Sequence, residues 1–116
     1  PAVCTWSGSS QWSASDPRLS GTATERATEY FWPVGGYLEA YTIEVVNDEG
    51  AWVGTRRAFV ADGGIDGADM YTLTGEGAHE GLAAFLAPDP SADEDEEGLV
   101  GVIVEGGLPP FPEPIE

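Results

Sequence analysis

The stretch Leu73-Thr74-Gly75-Glu76-Gly77-Ala78-His79-Glu80-Gly81-Leu82 places three glycines within seven residues, between two β-prone segments. Glycine inside a strand pattern marks a bulge, a tight bend or a close backbone approach. Three of them together predict a strongly bent hairpin, of the kind that closes a small sheet into a barrel. Outward from it, short strand patterns alternate with turn signals. Tyr37 to Val46 is the clearest, with Tyr37, Tyr41, Ile43 and Val45 on one face and Glu39 their only polar companion. Asn47-Asp48-Glu49-Gly50 reads as a hairpin loop with Gly50 in the left-handed position. Ala51 to Val60 then returns antiparallel, and this hairpin is expected to place Tyr41, Ile43, Val45 and Phe59 in the core.

Earlier in the chain, Val3 to Trp12 is aromatic and serine-rich, Asp16-Pro17 initiates a turn, and Thr22, Thr24 and Thr28 favour a strand over Leu19 to Tyr30. Later, Met70 to Thr74 reads as a strand, and Leu99 to Val104 reads as a buried β-branched strand interrupted by Gly101. Leu82 to Leu86 reads as a strand, although its Ala and Leu residues would also suit a helix. Asp93-Glu94-Asp95-Glu96-Glu97 repels itself and reads as a solvated loop. The fold class expected is all-β: a small antiparallel barrel or sandwich of seven or eight strands over residues 1–105. Residues 106–116, rich in proline, form an extended C-terminal tail in this reading.

Charge narrows the function. The 116 residues carry 21 acids against four arginines, with no lysine, for a net charge of −17. Such a chain repels phosphate backbones and anionic lipid, which argues against nucleic-acid and membrane-surface roles. No run approaches the roughly 18 apolar residues of a membrane span. Cys4 is the single cysteine, so no intramolecular disulfide or cysteine-based zinc site forms; near the N-terminus it reads as a buried or semi-buried small hydrophobe, with an intermolecular disulfide as the alternative. The chain begins at Pro1 rather than Met, compatible with a mature secreted product whose signal peptide has been removed; a trimmed chain would begin the same way.

Candidates for chemistry are few. His79 and Cys4 lie about 75 positions apart, and no serine sits in a Gly-x-Ser-x-Gly elbow. His79 reads first as a surface or hydrogen-bonded histidine; a general acid–base role beside an inward carboxylate such as Glu39 is the sharper reading. Arg56 and Arg57 must point to opposite faces of their strand, with one of them inward and paired to Glu39 or Glu44. Asp62-Gly63-Gly64-Ile65-Asp66-Gly67-Ala68-Asp69 is the best ion candidate, with Asp62, Asp66 and Asp69 as calcium ligands. It departs from the EF-hand pattern, whose twelfth-position glutamate is replaced by Leu73, and an ordinary acidic turn is the plainer reading. Trp6, Trp12, Trp32 and Trp52 read as core packing, or as a ligand platform or a wet protein interface.

Ser15-Asp16-Pro17-Arg18-Leu19-Ser20-Gly21, Asn47 to Gly54, Leu73 to Leu82 and Pro109-Pro110-Phe111-Pro112-Glu113 together resemble an uncharacterised group of small secreted bacterial β-proteins. That resemblance brings no activity. The Gly75-x-Gly77-x-x-x-Gly81 hairpin is remotely similar to that of dirigent and allene-oxide-cyclase-like barrels, which implies an eight-stranded antiparallel barrel with a small-molecule pocket. Two functions follow as expectations. The first is a non-enzymatic extracellular structural or adhesive protein, self-assembling into a homo-oligomer or filament by strand or tail exchange. The second is a barrel enzyme or carrier, cyclase- or isomerase-like, that holds a hydrophobic small molecule with Glu39 or His79 in an aromatic pocket.

Overall fold

The computed structural model describes residues 2–33, 35–61, 70–88, 98–106 and 115. Among these residues seven strands are connected in chain order as a single antiparallel sheet: β1 (Ala2–Trp12), β2 (Gly21–Phe31), β3 (Tyr37–Val46), β4 (Gly50–Val60), β5 (Met70–Gly77), β6 (Leu82–Pro88) and β7 (Leu99–Glu105). Leu82 to Leu86 is therefore strand, not helix. A single 3-10 turn, Pro17–Leu19, separates β1 from β2; the Asp16 carboxylate caps it by accepting from the Arg18 N–H at 3.1 Å. Proline at its first position needs no hydrogen-bond donor there.

Alternation along the strands separates two faces. One face carries Ala23 and Ala27 on β2, Tyr41, Ile43 and Val45 on β3, and Trp52 on β4, all buried. Tyr71 and Leu73 on β5 and Ala84 and Leu86 on β6 continue it. Leu19, from the 3-10 turn, closes over this core, with Trp12, Ala14, Leu82 and Ile103 packed around it. The sheet curls strongly. Trp12 on β1 meets Tyr71 on β5 edge-on, ring centroids 5.5 Å apart, although the two strands would stand about 19 Å apart in a flat sheet. Glycines make room for the bulky groups: Gly54 is paired with Leu73, and Gly75 with Trp52.

The three-glycine hairpin forms as its spacing predicts. Gly77 (φ +66°) and Gly81 (φ +87°) take the left-handed conformation at the two ends of the turn between β5 and β6. Gly50 does not; a Cβ there would lie 2.2 Å from the Glu76 carbonyl oxygen, so this glycine serves the close approach of β5 instead.

Curling stops short of closure: the sheet is open, with β1 and β7 at its two edges. The expected all-β antiparallel architecture stands, as an open sheet and not as a closed barrel. In an antiparallel meander of seven strands the first and last run in the same direction, so a closing seam would have to be parallel. Two further corrections follow from parity and strand order. Phe59 is 42% exposed on the outer face, and its neighbour Ala58 is the buried residue. Leu99 to Val104 is an exposed edge strand rather than a buried one, because among the described residues β7 pairs with β6 alone. Residues 107–114, which hold most of the proline-rich tail, and the acidic run 93–97 lie outside the described residues.

Candidate functional site

Arg56 is the charge at the centre of the concave face. Its guanidinium lies over the rings of Tyr41, at 4.6 Å, and Tyr71, at 5.1 Å. Arg56 Nη1 donates to the Tyr71 hydroxyl at 3.3 Å, and that hydroxyl donates to Glu25 Oε1 at 2.9 Å. An inward arginine on β4 is thus linked, through a tyrosine on β5, to a carboxylate on β2. Glu44, an expected partner of this pair of arginines, lies on the opposite face, while Glu39 accepts a hydrogen bond from the Tyr41 hydroxyl. Trp6 stands edge-on to Tyr41 at 5.6 Å and donates its indole N–H to Glu29 at 2.9 Å. Chemically the group is a held cation between electron-rich rings, rimmed by carboxylates that already accept hydrogen bonds.

Burial pushes the Tyr71 hydroxyl well above its usual range, with Arg56 opposing and Glu25 reinforcing the shift. In the unfolded chain this phenol ionises near pH 10.0, whereas the folded protein retains the proton. The resulting contribution to stability is complete below pH 10 and is lost as pH rises toward the folded value. The melting temperature is expected to fall more steeply above pH 10 in the wild type than in Tyr71→Phe. Parallel slopes in thermal melts across pH 9 to 11 would remove Tyr71 as the cause.

A second cluster lies at the other end of the strands. His79 is 1% exposed, stacked on Trp52 with ring centroids 5.0 Å apart and planes 16° from parallel. Its Nε2 pairs with Asn47 Oδ1 at 3.2 Å, so Nε2 carries the proton. Asn47 Oδ1 also accepts from the N–H groups of Glu49 and Gly50, while its Nδ2 donates to the carbonyls of Arg18 and Ser20. The Trp52 indole N–H donates to Arg18 O at 2.8 Å. Here His79 is a packed and bonded histidine. It does not meet Glu39: Glu39 is opposite Ala58, and Trp52 is opposite Val45, six residues further along β3 and about 20 Å away.

The remaining predicted residues are placed as follows. Cys4 is exposed, contrary to the expectation of burial, because β1 is an edge strand. Of the tryptophans, Trp52 is core and Trp12 half-buried, while Trp6 and Trp32 are more than 40% exposed. Asp62, Asp66 and Asp69 lie outside the described residues; among the described residues no group of three or more His, Cys, Asp or Glu side chains is placed to hold a metal ion. No helix among them is long and apolar enough to cross a membrane. No protein family, curated protein or solved structure matches the chain.

The two sheet edges are the feature that residue-by-residue reading missed. Strand β1, 11 residues long, contains no charged side chain, and the seven residues of β7 contain only Glu105. Yet 22% of the whole chain is charged, and strands β2 to β5 all carry charges, with β6 the one interior strand among the described residues that carries none. Val100, Val102 and Val104 project from one face of β7, with Val102 58% exposed. The alternation Val-x-Val-x-Val was visible in the sequence; its exposure depended on strand order.

Proposed function

We propose that this is a non-enzymatic structural or adhesive protein that acts outside the cell and associates with copies of itself through its sheet edges. The observation that carries the reading is the near absence of charge from both edge strands of an otherwise strongly acidic chain. Edge strands in proteins that stay monomeric are commonly protected by lysine, proline, inward charge or a covering segment. Neither β1 nor β7 contains lysine or proline, and Val100, Val102 and Val104 on the outer face of β7 are exposed to solvent. Main-chain hydrogen bonds across such an edge supply affinity, and the flanking side chains supply selectivity. The net charge of −17 keeps single copies apart at low salt and makes their association responsive to ions.

A carrier or enzyme for a hydrophobic small molecule draws less support, because the inner aromatic residues are engaged with Arg56, Glu25, Glu29 and Glu39. The test is sedimentation velocity and negative-stain imaging over a wide range of protein concentration, in dilute buffer and in molar sodium chloride. Masses above 12.2 kDa that grow with concentration and salt are expected. A strictly monomeric species under all conditions would overturn the reading. Truncation after Glu105 separates the two routes, since assembly by tail exchange is lost with residues 106–116 and assembly by strand pairing is not.

A further inference from the structure

We infer that the primary contact is between two copies of this chain, β7 against β7 antiparallel, with Val102 on the two-fold axis. The inference rests on the edge-association reading and narrows it to one strand, one partner strand and one register.

Strand parity restricts how two copies can join. The strands β1 and β7 run in the same direction, being first and seventh in an antiparallel meander. If the copies keep their concave faces on the same side, β7 meets the β1 edge of another copy only in parallel, the weaker pairing. Joining those two edges antiparallel would put the concave faces on opposite sides of the sheet. Antiparallel pairing with both faces preserved is available only between like edges, β7 with β7 or β1 with β1, related by a two-fold axis. Such closed, isologous pairs are also the commonest form of self-association.

Chemistry then selects β7. On the outer face β1 presents Val3 followed by Thr5, Ser7, Ser9 and Gln11, mostly polar and already content in water. On the same face β7 presents Val100, Val102 and Val104, which are 46%, 58% and 36% exposed. Pairing over all seven residues of Leu99–Glu105 puts Val102 opposite its own copy and Val100 opposite the partner's Val104. The result is a continuous valine ladder on one face, where cross-strand β-branched pairs are favourable. On the other face Gly101 lies opposite the partner's Ile103, and Glu105 opposite the partner's Leu99. The two Glu105 carboxylates therefore fall at opposite ends of the seam and do not face each other. A shift by one residue would turn the valines to opposite faces. A shift by two shortens the seam.

Cross-linking reads the register directly. Across an antiparallel pair, facing Cα atoms are about 4.5–5.5 Å apart, within the span of a disulfide. In a Cys4→Ser background, Val102→Cys is expected to form a covalent dimer under mild oxidation, whereas Val104→Cys and Val3→Cys form little. Val102→Lys should weaken self-association by at least tenfold in sedimentation experiments, with the melting temperature of the monomer unchanged because residue 102 is exposed. If association persists in Val102→Lys, or if Val3→Cys cross-links better than Val102→Cys, the β7 assignment is overturned while edge association stands. If wild type shows no association at any concentration, both readings fail.

Discussion

Replacing Trp52 by alanine is expected to lower the melting temperature by about 15–30 °C, the largest effect of any single substitution considered for this chain. Trp52 is completely buried, at the centre of the core on β4. Truncating a buried tryptophan costs about 3–5 kcal/mol, a large share of the roughly 5–15 kcal/mol that holds a domain folded. The loss here has three parts. The cavity opens beside Gly75, the cross-strand partner, which has no side chain to fill it. His79 loses the ring on which it stacks. The Arg18 carbonyl loses the indole donor that ties the 3-10 turn to β4. Trp52→Phe retains most of the volume and the stacking, and its deficit should fall to about 1–2 kcal/mol. Phe59→Ala, on the same strand but facing outward, is expected to change stability by no more than about 0.5 kcal/mol. Thermal melts followed by near-ultraviolet circular dichroism separate these outcomes. A larger loss for Phe59→Ala than for Trp52→Ala would mean that the two faces of β4 have been assigned the wrong way round.

That comparison also shows how the sequence could be misread. Trp52 and Phe59 lie seven positions apart on one strand, so they cannot share a face. The turn from Asn47 to Gly50 sets Val45 opposite Trp52, and Val45 was already expected in the core. The register therefore required Trp52, Arg56 and Ala58 inward and Phe59 outward. Hydrophobicity favoured Phe59 over Ala58, and parity decided against it. The strand segments themselves were legible, because Asp16-Pro17, Trp32-Pro33, Gly35-Gly36 and Asn47 to Gly50 break the chain where backbone geometry requires it.

Strand order was less legible. Whether Cys4 and the β7 valines are buried depends on what lies beside β1 and β7, and nothing local records that. A run such as Leu99-Val100-Gly101-Val102-Ile103-Val104 has the composition of a central strand and the position of an edge. The proposed β7–β7 pairing rests on the mismatch between those two properties. The inner cluster was legible in part. Adjacent Arg56 and Arg57 must diverge, so one had to be inward, but the Arg56–Tyr71 and Tyr71–Glu25 contacts span 15 and 46 residues of chain. The first follows from the register of β4 and β5, and the second, between β5 and β2, from the curl of the sheet.

Asn47→Ala is expected to lower stability by about 2–4 kcal/mol although the residue is only half-buried and sits in a turn. A turn asparagine ordinarily bonds its own backbone two or three residues on, and Asn47 does so through Oδ1 to the Glu49 and Gly50 N–H groups, both at 3.1 Å. Its other bonds reach further. Nδ2 donates to Arg18 O at 2.9 Å and to Ser20 O at 3.0 Å, which fixes the segment between β1 and β2. Oδ1 also pairs with His79, in the turn between β5 and β6. One amide thus joins three connections that are distant in sequence, and alanine leaves a fully buried imidazole without its partner. Asn47→Asp sharpens the test. It preserves the Oδ1 acceptor for the two backbone donors and for His79, but sets a second oxygen against the Arg18 and Ser20 carbonyls. If the long-range donors matter more than the local turn, aspartate should be no better than alanine in urea unfolding near pH 7. If the turn dominates, aspartate should behave like wild type and only alanine should fall. The geometry favours the first outcome, because both Nδ2 acceptors belong to the segment that carries Leu19 into the core.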